Sequence, residues 1–474
     1  MAATRIEENL QSFRPSEFVT SGSGSDWGKS LREKAPLASH ADWSPPEDRE
    51  DPVSVITGQN ADRLQWLVPV RHWRMSQSPF SFYRGAAKVM AMDLAGTPVT
   101  GIPAQLCGDA HLSNFGTFAS PERHLIFDVN DFDETLPGPW EWDLKRLAVS
   151  FTIAARHKGY SDKKARKLTK DATTAYRKAM ATFADMTYLD VWYTQTRVSQ
   201  ITDYFSKQLS KSEKKANKKF VAKAESKDRY HALNKIGEQT DEGYRIVSQP
   251  PLIVPLRDLK EQSEAEALRK GATEALTGYL KSVNRDLLVL LVRFELKDLA
   301  IKVVGVGSVG TRCLVVLLQG RGTGEPFFLQ IKEAGASVLE DYLPKSHFSD
   351  PGERVVTGQR IMQSASDSFL GWSDVSSEGT HYYWRQFKDM KGSLDIETAD
   401  YDALKRYAQL CGYTLARSHA LSADAAGIAG YLGSGKAFDK ALGTFGALYA
   451  DQNEKDHQAF VDAIDSGRIP AEEG

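Results

Sequence analysis

Cysteine is scarce in this 474-residue chain, with only Cys107, Cys313 and Cys411, widely spaced and odd in number. No CxxC pair occurs, so neither a disulfide framework nor a structural zinc site is expected, and a reducing compartment is the better expectation. Long apolar runs are missing too. The most apolar stretch, Leu287 to Val292, lies between Asp286 and Arg293 and is too short to span a bilayer. The opening MAATRIEENLQSF lacks the apolar core of a signal peptide. Neither sign of charge dominates, because 60 Lys and Arg face 62 Asp and Glu. That balance gives no reason to expect nucleic acid or an anionic membrane as the main partner. No internal repeat is visible. These absences point to a soluble, cytoplasmic protein.

Hydrophobic content is 41% and charged content 26%, ordinary values for a globular chain, and the length suffices for two to three lobes. Residues 1–60 carry SGSGS at 21–25 and SPPEDREDP at 44–52, and read as a flexible lead-in. Residues 61–290 read as mainly helical. A helix is expected over Phe82–Leu94, a strand over HLIFDV at 124–129, and another helix from Asp143. The stretch 162–240 is charged and helical in pattern. Its lysine run, Lys207 to Lys227, reads as a solvated helix face rather than a phosphate-steering patch.

Residues 291–395 change character. IKVVGVGSVGTRCLVVLLQG reads as strand, glycine turn and strand. EPFFLQIKEA reads as a third strand and HYYWRQFKDM at 381–390 as another, with a helix over Glu353–Gln363 between them. Residues 396–474 are helical again and are expected to return to the first helical region.

Chemistry concentrates in four places. Asp109 and Asn114 are separated by four residues in GDAHLSN, the Asp-to-Asn spacing of a phosphoryl-transfer loop. There a carboxylate accepts the proton of an attacking hydroxyl, and an amide oxygen reaches a magnesium ion. Asp131-Phe-Asp133 follows the strand HLIFDV. Magnesium favours hard oxygen ligands, so Asp131 fits a metal ligand and Asp133 a second one, with Asp128 a weaker candidate. Asp143, in Trp-Asp-Leu, could cap its helix or bind catalytic-loop amides. Each signal alone is common in ordinary turns; their order is harder to obtain by accident.

The fourth place is Gly305-Val-Gly307-Ser308-Val-Gly310. A dinucleotide fold would open a helix after this pattern, but Cys313 to Leu318 favour a strand. Strand, glycine turn and strand is the arrangement that covers a triphosphate in kinases. The bland alternative is a plain hairpin. Lys332 on the next strand matches the lysine that holds phosphates, although strand-end lysines are more often solvated. Its acidic partner stays open between Glu340, Glu353 and Gln359, with Glu353 preferred. Tyr383 to Met390 could supply an adenine-holding hinge. His111 could join Asp109 and Asp131 in a metal site for hydrolysis, but a loop-packing histidine is preferred. Arg84, with Arg71 and Arg74 nearby, could bind an anionic acceptor; a helix-packed arginine paired with a carboxylate is commoner.

The blocks SPFSFYRGAA, CGDAHLSNFG, DVNDFDET, WEWDLKRLAVS, VVGVGSVGTR, FLQIKEA and YYWRQFKDMKGS resemble the bacterial domain-of-unknown-function 2252 family, over roughly residues 50–460. More distantly, GDAHLSN, NDFDE and WDL resemble aminoglycoside and choline phosphotransferases, whose loop reads His-Gly-Asp where this chain has Cys107. This resemblance implies Asp109 as base, Asn114 and Asp131 as magnesium ligands and Lys332 on phosphates. The expected fold is α+β, a protein-kinase-like two-lobe architecture, circularly permuted so that the helical catalytic lobe precedes the glycine-loop lobe. The expected function is ATP- and Mg2+-dependent phosphotransfer to a small-molecule or protein acceptor. Three alternatives stay open: a non-catalytic nucleotide-binding regulator, an adenylate transferase, and a metal-dependent phosphoesterase.

Overall fold

The computed structural model describes residues 18, 20, 22–206, 209–226, 229–241, 243–375, 379–387 and 390–474. Five short helices come first: α1 (Gly24–Ser30), α2 (Pro52–Gly58), α3 (Val68–Ser76), α4 (Pro79–Gly85) and α5 (Ala87–Ala95). Strands β1 (Pro103–Leu106), β2 (Phe115–Ala119), β3 (Leu125–Val129) and β4 (Leu136–Pro139) form two ribbons, β1 with β4 and β2 with β3. Helices α6 (Trp140–His157), α7 (Asp162–Ala184), α8 (Tyr188–Tyr193), α9 (Val198–Phe205), α10 (Lys211–Glu225) and α11 (Arg229–Ile236) follow. Next come β5 (Gly237–Thr240), β6 (Gly243–Ile246), β7 (Ile253–Pro255), α12 (Gln262–Ser282) and α13 (Arg285–Leu291). The remaining strands are β8 (Phe294–Lys302), β9 (Cys313–Gly320), β10 (Pro326–Ala334), β11 (Gly371–Val375) and β12 (Thr380–Gln386), with α14 (Pro351–Met362) between β10 and β11. The chain closes with α15 (Tyr401–Ala420), α16 (Ala425–Leu432) and α17 (Ala437–Asp465). No described helix is long and apolar enough to cross a membrane.

The α+β expectation holds at this level. Helices α15, α16 and α17 pack on α6 and α7, forming the larger core with Trp140, Tyr176, Leu415 and Phe445. The other layer is a sheet of order β11-β12-β10-β9-β8-β7, antiparallel throughout. The period-2 alternation of strands divides its faces. Leu314, Val316, Leu329, Ile331, Tyr382 and Trp384 face α12, where Trp384 stacks on Tyr279 at 4.6 Å. Lys302, Gln330, Lys332 and Arg385 line a cavity on the opposite face.

Several expectations need correction. Residues 24–60 are folded rather than a loose lead-in; residues 1–17 lie outside those described. Asp51 accepts from the Val53 and Ser54 amides and starts α2 after Pro52. Val53 and Ile56 are buried with Phe460, and Arg49 bridges Asp93 at 2.7 Å and Asp456 at 2.6 Å. A polar composition hid a segment held by pairing with distant acids. The expected helix over Phe82–Leu94 breaks at Ala86, whose φ and ψ are −109° and 36°, with α4 capped separately by Ser78. Helix α6 starts at Trp140, before Asp143. The charged stretch ends in the β5–β6 ribbon rather than in helix. The sheet gains β7 and β11 at its two edges, strands too short to carry a strong alternating pattern. Of the lysine run, Lys211, Lys214, Lys215, Lys218, Lys219 and Lys223 are exposed on α10, as expected; Lys207 and Lys227 lie outside the described residues.

Candidate functional site

The loop after β1 is shaped by α6. Asp143, Arg146 and Ser150 recur at i, i+3 and i+7, so they share one helix face. Asp143 accepts from the Cys107 amide at 2.8 Å and the Gly108 amide at 3.0 Å. Ser150 accepts from the Leu112 amide at 3.0 Å. Of the two roles expected for Asp143, the structure shows amide binding. Gly108 has φ +84°, and a Cβ there would lie 2.2 Å from the Glu134 carbonyl, which ties this loop closely to the one after β3.

Arg146 Nε donates to Asp109 Oδ1 at 2.8 Å, while its Nη2 lies 2.7 Å from the same oxygen and donates to the Tyr83 carbonyl at 2.7 Å. Its guanidinium lies over the Tyr83 ring at 3.9 Å. Burial pushes the Asp109 carboxyl above the ordinary range, against the pull of Arg146 and Arg84. The Asn114 amide nitrogen donates to the Asp109 carbonyl at 2.8 Å. Its amide oxygen is therefore the atom left to accept or ligate. His111 is buried, and burial holds its imidazole neutral. Its Nε2 lies 3.6 Å from Asp109 Oδ2, beyond hydrogen-bond length.

The two aspartates after β3 meet the lysine of β10. Lys332 Nζ lies 2.5 Å from Asp133 Oδ2 and 3.6 Å from Asp131 Oδ1, and only 2% of its side chain is exposed. Burial disfavours the ammonium, but Asp131 and Asp133 outweigh it and hold the charge. Asp133 also accepts from Tyr383 at 2.6 Å and from Ser308 at 3.3 Å. Burial opposes its charge too, yet Lys332 and Tyr383 hold its carboxyl below the ordinary range. Asp131 goes the other way: burial, then the adjacent Asp133 charge, push it up.

These differences decide which aspartate can take a metal. Asp133 already accepts from Lys332 and Ser308 on Oδ2 and from Tyr383 on Oδ1, which leaves it less to offer a second metal than Asp131. Asp131 Oδ1 is buried with no hydrogen-bond partner among the described residues. Its side chain is 35% exposed, and it lines the same cavity as Asn114. Asp131 and Asn114 therefore fit a magnesium ion that takes its remaining ligands from phosphates and water. Asp128 is excluded, because it is buried against Ser364 at 2.9 Å and Arg417 at 3.3 Å. No group of three or more His, Cys, Asp or Glu among the described residues could hold a metal by itself.

The glycine turn joins β8 to β9. Gly305 and Gly310 have φ +63° and +91°, which favour glycine. The turn leans on the N-terminal helices: Arg74 donates to the Gly305 carbonyl at 3.0 Å, and the Leu64 amide donates to Gly310 at 2.7 Å. Two cavities flank it. One of about 450 Å³ is lined by Asp131, Ser308, Gln330, Lys332 and Arg385. The other, about 480 Å³, is lined by Asp109, Asn114, Asp131, Asp133 and Gly307.

The structure thus gathers Asp109, Asn114, Asp131, Asp133, Gly305, Gly307, Ser308 and Lys332 around adjoining cavities. Gly310 caps the far end of the turn instead. Neither expected glutamate partners Lys332. Glu340 closes a capping box on Ser337, and Glu353 lies in the first turn of α14 beside Asp350. Gln359 does line the Lys332 cavity, but its amide nitrogen donates to Gln363 at 3.0 Å. The expected adenine hinge is partly spent: the Gln386 amide donates to Asp367 at 2.5 Å and the Phe387 amide to Phe328 at 3.0 Å. Residues 388 and 389 lie outside those described. Sequence reasoning also missed Arg146 and Glu134, and it placed Tyr383 in the hinge rather than on Asp133. The Glu134 carboxyl is pushed up to about 7 by burial, although it accepts from the Val338 amide at 2.7 Å. Its only sequence signal was its place in NDFDET.

An α+β chain with an acid-lined cleft between a helical layer and an antiparallel sheet is the class defined so far. The chain belongs to the domain-of-unknown-function 2252 family, described as an uncharacterized protein conserved in bacteria, whose profile matches residues 63–463. No curated protein matches it, and no solved structure does.

Proposed function

We propose that this protein is an ATP- and Mg2+-dependent phosphotransferase with a kinase-like site whose two lobes are swapped along the chain. The observation that carries the reading is the convergence of Lys332 on Asp131 and Asp133 beside the glycine turn. These residues are separated by about two hundred positions, and the lysine is charged in a cavity of ligand size. Packing of α15–α17 on α6 and α7 supports the permutation, since both chain ends then serve the helical layer.

In this reading Lys332, Ser308 and the glycine turn hold the phosphates. Asp131 and Asn114 hold magnesium, which supplies neutralisation of phosphate charge when bound. Asp109 orients the acceptor hydroxyl and takes its proton, while Arg146 fixes the carboxylate. The acceptor oxygen forms the new bond to the γ-phosphorus, the bond to the β–γ bridging oxygen breaks, and ADP leaves. Rate enhancement then comes mainly from positioning and fixed charge. The phosphoesterase alternative needs Asp109, His111 and Asp131 to gather metals, and His111 is buried with its charged form disfavoured, while no such cluster occurs among the described residues.

The test uses ATP labelled on the γ-phosphate, incubated with hydroxyl-bearing metabolites and proteins. Transfer should fall by roughly a hundredfold or more in Asp109→Asn, the scale of a lost general base. Transfer undiminished in that variant, or transfer of an α-label in place of the γ-label, would contradict the reading.

A further inference from the structure

The cavity on the Asp109 side is ringed by cations that differ in what holds them. Lys88 pairs with Asp341 at 2.7 Å, and Arg146, behind the cavity wall, grips Asp109 at 2.7 Å. Arg63 donates to the Val309 carbonyl at 2.5 Å, and Arg71 to Asn60 at 2.7 Å. Arg84 stands apart. It makes no hydrogen bond or ion pair among the described residues, and its Nε is buried without an acceptor. It lines this cavity at the end of α4, where the helix breaks at Ala86, and a Cβ at Gly307 would lie 3.3 Å from its backbone carbonyl.

Asp109 attracts it only across a gap, and an enclosed guanidinium with no acceptor in hydrogen-bond reach is unfavourable. Its planar fork of donors matches a carboxylate or phosphate. Every other cation named above already has its acceptor within the protein. We propose that Arg84 binds the anionic group, phosphate or carboxylate, of a small acceptor whose hydroxyl faces Asp109. The acceptor is therefore a negatively charged hydroxy compound. This inference rests on the phosphotransferase reading for the acceptor role, and on the Arg84 cavity alone for the anion site. The other source of an anion at this place is the γ-phosphate of the nucleotide, and the test separates the two.

Binding of inorganic phosphate and of glycerol 3-phosphate to the full chain is measured by calorimetry at millimolar concentrations, with ADP and magnesium present and absent. ATP and ADP affinities are measured in parallel. The proteins are wild type, Arg84→Gln and Arg84→Lys, the lysine variant guarding against a misfolded glutamine variant. Wild type should bind both probes, and Arg84→Gln should weaken them at least about tenfold, the scale of a lost hydrogen bond to a charged group. Arg84→Lys should fall between, with ATP and ADP affinities unchanged in all three proteins. Probe binding that is absent from wild type or equal in all three proteins overturns the proposal. So does a loss confined to ATP and not seen with ADP, which would assign Arg84 to the γ-phosphate. Arg84-dependent phosphate binding in a protein that binds no nucleotide would sink the phosphotransferase reading and the acceptor role, and keep the anion site.

Discussion

On the side of the sheet that meets α12, strands β9, β10 and β12 present Leu314, Leu329, Ile331 and Trp384. On the other side β10 and β12 present Gln330, Lys332, Tyr383 and Arg385, with Asp131 and Asp133 brought up from the loop after β3. One face gains stability from burying apolar area. The other is divided: Ala300, Val315, Leu317 and Phe328 pack under α11, while the end at Lys332 buries charges, whose mutual attraction does little more than offset their desolvation. The register that fixes Trp384 on one face places Lys332 opposite Tyr383 on the other. A stable apolar face can therefore hold a costly polar patch in position behind it, which is what a binding site requires.

The comparison can be broken most strongly on the apolar side. Trp384→Ala should cost about 3–5 kcal/mol in urea unfolding, the range for a large buried aromatic. A loss under about 1 kcal/mol would mean that this face does not anchor the sheet. On the polar side, Asp133→Ala leaves the Lys332 ammonium with only Asp131, 3.6 Å away. Because Asp133 is partly open to solvent, the expected cost is roughly 2–3 kcal/mol, at or below the range for enclosed pairs. The double variant Lys332→Met with Asp133→Leu should recover most of that loss in the same assay, since it removes both charges together. Recovery of nothing would mean that the ion pair is not the cause.

The smallest effect concerns Glu134. Its carboxyl is held at about 7 in the folded state against an ordinary 4.5. Across that window the native state keeps a proton that the unfolded chain has lost, so the contribution to stability falls as pH rises from 4.5 to about 7. Glu134→Gln should flatten this part of the stability–pH curve, read from urea midpoints on either side of the window. An unchanged slope would assign the pH dependence to other groups.

What could be read from the sequence is local. The Asp109–Asn114 spacing, the strand before Asp131 and the glycine turn between strands are each contained in a dozen residues or fewer, and all three appear in the structure. What could not be read is the set of contacts that joins distant segments. Lys332 was assigned a glutamate within a few dozen residues, and instead meets two aspartates about two hundred positions earlier. Arg146 looked like one more charge on an amphipathic helix, yet it fixes Asp109. Residues 24–60 read as loose because Arg49 and Asp51 count as polar, although one bridges two buried acids and the other starts a helix. Composition reports how polar a residue is, and it carries no information on whether a partner waits elsewhere in the fold.

The most direct measurement is thermal stability with and without ATP and magnesium, for wild type, Lys332→Ala and Asp131→Ala. At about a hundred times its dissociation constant a ligand adds roughly 2.7 kcal/mol. The account predicts that shift in wild type and its loss in both variants. A shift that survives both substitutions, or a wild type indifferent to every nucleotide, would contradict it.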